Sequence, residues 1–331
     1  MKSVFSASSH LSDQLVIDLG NGGMSDEFVL LNELQPGRPV TLMQSRDNLE
    51  LHVIKYALSH DAEAIDTLRR EYEALRILSP SGSVPEILEP FEERGKTFRF
   101  VMPFIYADRS VVYSSPEAAA PVAVSLASLH SVTRNIPYPP FGFEVPILVG
   151  GHAFWIGADK IIQKMCEQPE TGPVGEVVRE VIELLRGARS TLTRPFSMNE
   201  MVLIHGDIST ENIILARRGG RISPVFLDFG EAVLGPPQHD LARYAVSANL
   251  DPTGTALLLS VYLNTLDEKS RQTDRFIEGF NALKCLAIFD LKILGPLIFM
   301  RSGPNSGEFT GHVKAAAGEI RELLRQMKDP E

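Results

Sequence analysis

Leu203-Ile204-His205-Gly206-Asp207-Ile208-Ser209-Thr210-Glu211-Asn212-Ile213-Ile214-Leu215 is the densest run of chemistry in the chain, and its reading decides the fold. Its polar core is H-G-D-x-x-x-x-N, bracketed by apolar β-rich runs that anchor it on both sides. Sixteen residues after Asn212 comes Asp228, within Phe226-Leu227-Asp228-Phe229-Gly230 at the end of another apolar run. One physical scheme accounts for both motifs. Transfer of a nucleotide's γ-phosphoryl to a hydroxyl needs a carboxylate to orient the hydroxyl and accept its proton, plus oxygen ligands that hold magnesium against the phosphates. Asp207 suits the first role, and Asn212 with Asp228 the second.

These motifs resemble those of the protein-kinase-like phosphotransferases, specifically the aminoglycoside phosphotransferase and choline-kinase branch, which writes H-G-D where protein kinases prefer H-R-D. The resemblance covers about Phe28 to Met327, with the motifs in the right order. It implies Asp207 as catalytic base, Asn212 and Asp228 as magnesium ligands, and ATP or GTP as cosubstrate. A bare pair of Asp-containing turns would not explain Asn212 and the flanking strands together.

Working outward, residues 28–56 carry three β-rich runs, Phe28–Leu34, Val40–Met43 and Leu49–Tyr56, separated by turn residues, which predicts an antiparallel meander. Asp61 then caps a helix running to about Leu78, with Ile65, Leu68, Tyr72 and Leu75 at helical spacing. Two more strand-like runs, Val84–Phe91 and Thr97–Phe104, complete a small sheet carrying one helix. Beyond Phe104 the pattern turns helical, over roughly 117–131, 154–167, 175–192, 241–248, 256–266, 274–293 and 313–327, with a Pro-rich connector at 135–146 and short β-runs at 201–204, 213–215 and 222–229. The expected architecture is α+β and bilobal, protein-kinase-like. It comprises an N-terminal extension over 1–27, a nucleotide-binding lobe over 28–104, and a larger, mostly helical catalytic and substrate-binding lobe over 105–331.

A kinase-like site also needs a lysine on the phosphates and a helix carboxylate to position it. Strand alternation puts Lys55 on the face of Leu49, Leu51 and Val53, an apolar side where a charge is costly without a partner. Of the acids on the following helix, Glu71 lies about 60° from the apolar stripe at 100° per residue, much nearer than Glu63 or Glu73, and is the expected partner. The turn Gln35-Pro36-Gly37-Arg38 is the phosphate-covering loop, with Gly37 as its single glycine and Pro36 removing a backbone donor. Met102-Pro103-Phe104 is the hinge, where the family's backbone meets the base. Only nine residues separate Gly230 from Asp240, too few for the long activation segment of a protein kinase, so the acceptor is expected to be a small molecule. Asp240 reads locally as a helix N-cap, and the resemblance has it brace the catalytic loop; His130, in Leu126-Ala127-Ser128-Leu129-His130, reads as a packing residue.

One other motif leads elsewhere and is set aside. Leu15-Val16-Ile17-Asp18-Leu19-Gly20-Asn21-Gly22-Gly23 looks like a dinucleotide or actin-like phosphate loop, yet a strand rather than a helix follows it. No H-x-H or H-E-x-x-H is present, which argues against a metallohydrolase.

Composition sets the outer limits. The 331 residues suffice for about two domains, and 44% hydrophobic with 22% charged residues is a globular mix. A formal net charge of −10 argues against nucleic acid as a partner. Cys166 and Cys285 form no CxxC, the N-terminus lacks the apolar core of a signal peptide, and the greasiest stretch, 285–300, is broken by Asp290, Lys292 and Gly295. A soluble cytoplasmic protein without a membrane span is expected; oligomeric state is left open. The expected function is ATP- or GTP-dependent, magnesium-assisted phosphorylation of a small-molecule hydroxyl on an aminoglycoside-like compound, amino alcohol or sugar. The alternative is a catalytically inactive nucleotide-binding or interaction module of the same fold.

Overall fold

β1 (Phe28–Glu33), β2 (Val40–Ser45) and β3 (Leu51–Leu58) pair antiparallel in sequence order, as their alternation and turn residues predict. This computed structural model describes residues 28–33, 40–45, 49–134, 172–193, 196, 200–266, 273–296 and 306–328. The expected N-terminal extension over 1–27, the turn holding Gly37, the connector over 135–146, the helix over 154–167 and Cys166 lie outside the described residues.

The chain divides into two compact units. One takes the described residues up to Ser79 together with Val84–Tyr106 and Asp228–Glu231; the other takes those of Pro80–Ser83, Ala107–Leu227 and Ala232–Glu331.

In the first unit β4 (Glu89–Arg94) and β5 (Thr97–Pro103) form a hairpin that adds to the meander, giving the order β1-β2-β3-β5-β4. β3 is the middle strand. β4 starts later than the expected run over 84–91, since Pro85 has no N–H for a ladder, and continues past it to Arg94; its register shifts between Glu89 and Glu92, where Pro90 interrupts the donors. α1 (Ala62–Leu78) begins where predicted: the Asp61 side chain accepts from the Ala64 N–H at 3.0 Å. Ile65, Leu68, Ala74, Leu75 and Leu78 bury its inner face, and Glu71 sits in the same stripe.

The second unit is mostly helical. α2 (Pro116–Thr133), capped by Ser115 with Pro116 at the first position, buries residues nearly all round its axis, which marks it as the unit's central helix. α3 (Gly172–Gly187) and α4 (Arg189–Thr193) divide what the sequence reads as one helix. β6 (Val202–Ile204) pairs antiparallel with β9 (Val233–Gly235), and β7 (Ile213–Arg218) with β8 (Arg221–Phe226). β9 escapes a pattern reading because three residues are too few to show alternation. α5 (Gln238–Ser247), α6 (Pro252–Thr265), α7 (Thr273–Ile288) and α8 (Ser306–Lys328) follow; α2 packs on α6, α5 on α7, and α8 on α3 and α7. The last turns of the expected helix 274–293 widen into a π-helical segment, Phe289–Leu294. Among the described residues no helix is long and apolar enough to cross a membrane.

Candidate active site

In the first unit the site is built on β3. Val40 and Phe100 stand opposite Lys55 on the flanking strands, which fixes the lysine in mid-sheet. Its Nζ donates to Glu71 Oε1 at 2.6 Å and to Asp228 Oδ1 at 3.3 Å. One detail of the sequence reading is corrected. Lys55 shares its face with Leu51 and Val53, but this is the less buried face, since His52, Ile54 and Tyr56 on the other side are the buried residues. Leu49 is not on that face at all; with φ +60 it lies in the turn before β3 and is exposed.

Burial disfavours the charge of Lys55, yet the Glu71 and Asp228 carboxylates outweigh it and hold the ammonium above its ordinary pKa. Burial pushes Glu71 upward too, against the pull of Lys55, and Asp228 adds to that push. The two directions conflict for one ion pair; a 2.6 Å contact with a second carboxylate at 3.3 Å favours the ionised state.

Asp228 follows β8 after Leu227, with φ +64, a left-handed conformation that ends the strand sooner than the expected 222–229. A Cβ on Gly230 would meet Thr67 Cγ2 at 2.9 Å, so close approach to α1 explains the glycine here. Arg70 Nη1 also donates to the Gly230 carbonyl at 3.1 Å. Met102 is buried opposite Val53, while the Phe104 N–H donates to the Leu51 carbonyl at 2.9 Å. Phe104 therefore has its amide in use, and the Phe104 ring meets Tyr106 edge-on at 5.0 Å.

In the second unit the loop after β6 is tied down from beneath. His205 and Gly206 donate their backbone N–H groups to Asp240, at 2.8 Å to Oδ2 and 3.1 Å to Oδ1. Gly206 adopts φ +84, which an L side chain would strain, so glycine at the centre of H-G-D is a backbone requirement. His205 is buried; Nε2 lies 2.6 Å from the Leu227 carbonyl, an acceptor, so that nitrogen carries the proton and Nδ1 accepts from the Asp207 N–H at 3.3 Å.

Asp240 is fully buried and is not the N-cap that the sequence suggests. The helix starts earlier, at Gln238 after Pro237, which leaves Asp240 within the first turn with its carboxylate aimed at the loop. Burial pushes its pKa up, but the hydrogen bond and charge of His130, with the charge of His239 at 3.6 Å, carry it well below the carboxylate range. His130 Nε2 is 3.1 Å from Asp240 and its Nδ1 2.9 Å from the Tyr262 hydroxyl, so this histidine holds the brace as well as packing.

Above the brace, the Asp207 side chain remains 43% exposed. Asn212 turns Nδ2 toward it, 2.9 Å from the Asp207 carbonyl and 3.3 Å from Oδ2. Arg243 Nη2 donates to Asp207 Oδ1 at 2.5 Å, and Nη1 donates to Asp290 Oδ2 at 2.6 Å. Sequence reasoning passed over Arg243. A signal existed: Arg243 stands three positions after Asp240 on a helix, the spacing that brings two side chains to one face.

The sequence matches the family model described as "Phosphotransferase enzyme family" over residues 22–275. Comparison with curated protein sequences gives no match. Among solved structures, an aminoglycoside phosphotransferase from Alicyclobacillus acidocaldarius is similar with a TM-score of 0.62 at 14% identity, covering 98% of this chain and 97% of that one. A choline kinase from Cryptosporidium parvum has a TM-score of 0.62 at 13% identity, covering 92% of this chain and 91% of that chain. The GDP complex of aminoglycoside 2'-phosphotransferase-IIIa has a TM-score of 0.58 at 15% identity, over 96% of this chain and 99% of that one. At these identities the likeness is one of fold, which is protein-kinase-like: a small antiparallel sheet with one main helix, and a mostly helical remainder. With the family model matching well over half of its length, the chain belongs to the phosphotransferase enzyme family.

Proposed function

We propose that the chain transfers the γ-phosphoryl group of ATP or GTP to a hydroxyl of a small molecule, of the aminoglycoside-like, amino-alcohol or sugar kind, with Asp207 as base. The observation that carries this reading is the Asp207 carboxylate, half-exposed on a loop whose backbone is fastened to a buried Asp240. Such a group is open to an acceptor and fixed in position, the two properties that phosphoryl transfer asks of its base.

In the step envisaged, the acceptor oxygen bonds to the γ-phosphorus, the bond from that phosphorus to the bridging oxygen breaks, and the hydroxyl proton passes to Asp207 while nucleoside diphosphate leaves. Lys55, aligned by Glu71, would offset charge on the α- and β-phosphates. Gly37 would cover the phosphates. Met102 and Phe104 would border the base, through carbonyl oxygens and ring faces, since the Phe104 amide is already used.

Asn212 and Asp228 have the donor chemistry for magnesium. With Nδ2 turned to Asp207, Asn212 keeps its carbonyl oxygen for a cation, and Asp228 offers a partly exposed carboxylate. Magnesium takes few protein oxygens and completes its shell with phosphate and water, so two such ligands would suffice. Magnesium, when bound, supplies neutralisation of the phosphate oxygens.

A small acceptor is supported by the stretch between Gly230 and Asp240, which is consumed by Glu231, β9 and the start of α5. The test is Asp207→Asn, which should lower turnover by about 10² to 10⁴ with thermal unfolding unchanged. Near-normal turnover would remove Asp207 from the mechanism. A panel of aminoglycosides, amino alcohols and sugars, read by nucleoside-diphosphate release with ATP and with GTP, identifies the acceptor. Nucleotide binding without turnover across that panel would favour the inactive module instead.

A further inference from the structure

We infer that Arg243 is a positioning residue for phosphoryl transfer: its guanidinium fork holds the Asp207 carboxylate in one orientation, and Asp290, from the π-helical segment after α7, holds the fork. This rests on the reading of Asp207 as the base. Three observations carry it. The Arg243 side chain is only 12% exposed and lies between two carboxylates, on Asp207 and Asp290, that are 43% and 44% exposed. Each terminal nitrogen serves one carboxylate, at 2.5 Å to Asp207 and 2.6 Å to Asp290. The remaining nitrogen, Nε, is buried without a hydrogen-bond partner, so the head group is committed to these two acids.

The terminal torsion of an aspartate is broad and roughly two-fold, so a carboxylate fixed only through its backbone rotates freely. Here Oδ1 is held by Arg243 and Oδ2 by Asn212 at 3.3 Å. Gripping both oxygens fixes the carboxylate plane and with it the direction in which a lone pair meets the acceptor. A purely structural arginine joining α5 to the segment after α7 would need Asp290 alone. Guanidinium suits the task because its planar fork spans two carboxylates at fixed angles, which a lysine ammonium does not. The π-helical segment contributes by presenting Asp290, three positions ahead of Ile293, which is fully buried and anchors the segment.

The experiment is a kinetic set on the full chain with an acceptor found by the panel above: Asp207→Asn, Arg243→Ala, Arg243→Lys, Asp290→Ala and the double variant Arg243→Ala/Asp290→Ala. Arg243→Ala is expected to lower kcat by about 10- to 100-fold, the cost of a misplaced reacting group, with the nucleotide KM within about twofold of the parent. Arg243→Lys should recover only part of that loss. Asp290→Ala should cost less than Arg243→Ala, and the double variant should be no slower than Arg243→Ala, because Asp290 acts only through the arginine. Loss of turnover in Asp207→Asn with normal kcat in both Arg243 variants would overturn this inference and leave the proposed base standing. Normal turnover in Asp207→Asn would overturn the base itself. An Asp290→Ala variant that raises the acceptor KM and adds fully to Arg243→Ala would assign Asp290 to acceptor binding and overturn its anchoring role. If Arg243→Ala does not fold, Arg243→Lys with kcat equal to the parent still refutes the inference.

Discussion

Lys55 in the first unit and Arg243 in the second are each shared by two carboxylates, and the two sets differ in which member is sealed from water. In the first, Glu71 is buried and Lys55 largely covered, with side chains 6% and 12% exposed, and Asp228 is the member that reaches solvent. In the second, the cation Arg243 is largely covered while both of its carboxylates, Asp207 and Asp290, are open to solvent. A compact ammonium suits the first set, where the anchor is one buried carboxylate; a planar fork suits the second, where two separate elements must be gripped at once. The first fixes a charge in place with a carboxylate desolvated beside it, and the second fixes an angle while leaving both of its carboxylates in water.

The largest effect should come from breaking the first set. Lys55→Ala leaves Glu71 as a buried carboxylate beside Asp228 with no cation, and removing one partner of a buried pair costs about 3 to 5 kcal/mol. Urea unfolding measures this, and nucleotide-dependent turnover should collapse with it. Replacing both members, as Lys55→Met with Glu71→Leu, should restore most of the stability and none of the turnover, because apolar residues of similar volume fill the space without a charge to solvate. Full stability in Lys55→Ala alone would show that the two sets are more alike than their burial suggests.

Next comes the brace beneath the second set. Asp240→Asn keeps one acceptor oxygen but turns an N–H toward the donors of the loop, an unsatisfied contact worth about 2 kcal/mol. The brace also makes a pH prediction. Asp240 is held well below its ordinary value of 3.8, so the unfolded chain takes up a proton there before the folded chain does. The stability it contributes is present in full above that ordinary value and is lost as the pH falls below it toward the depressed folded value. Urea midpoints measured from pH 6 down to pH 3 should fall more steeply for the parent than for Asp240→Asn; parallel slopes would remove Asp240 as the cause.

How much of this the sequence discloses depends on distance along the chain. The pairing of Lys55 with Glu71 follows from two local periods, the alternation of a strand and the 100° step of a helix, and the structure brings the two side chains to 2.6 Å. The loop between β6 and β7 is legible because its motif is continuous over eight residues. The Arg243–Asp290 contact joins positions 47 apart through a widened helical segment that a 3.6-residue period does not anticipate. Asp240 was misread as a cap because the helix begins at Gln238 behind Pro237, and only the folded chain shows its carboxylate turned away from its own helix end. The strand expected over 84–91 instead runs over Glu89–Arg94, for a reason legible in the sequence: Pro85 keeps the start of the run out of the ladder, while Pro90 only shifts the register.

The smallest stability effect is the one that sharpens the comparison most. Arg243→Ala removes a cation with a side chain 12% exposed, as Lys55→Ala does, so a count of ion pairs predicts similar damage. Burial predicts otherwise. Asp207 and Asp290 are each more than a third exposed, so water takes over their solvation when the guanidinium leaves, and exposed pairs contribute no more than about 1 kcal/mol. The unfolding midpoint of Arg243→Ala should therefore lie close to that of the parent, far from that of Lys55→Ala, while its kcat falls. A loss as large as that of Lys55→Ala would mean that Arg243 holds the unit together rather than the angle of one carboxylate.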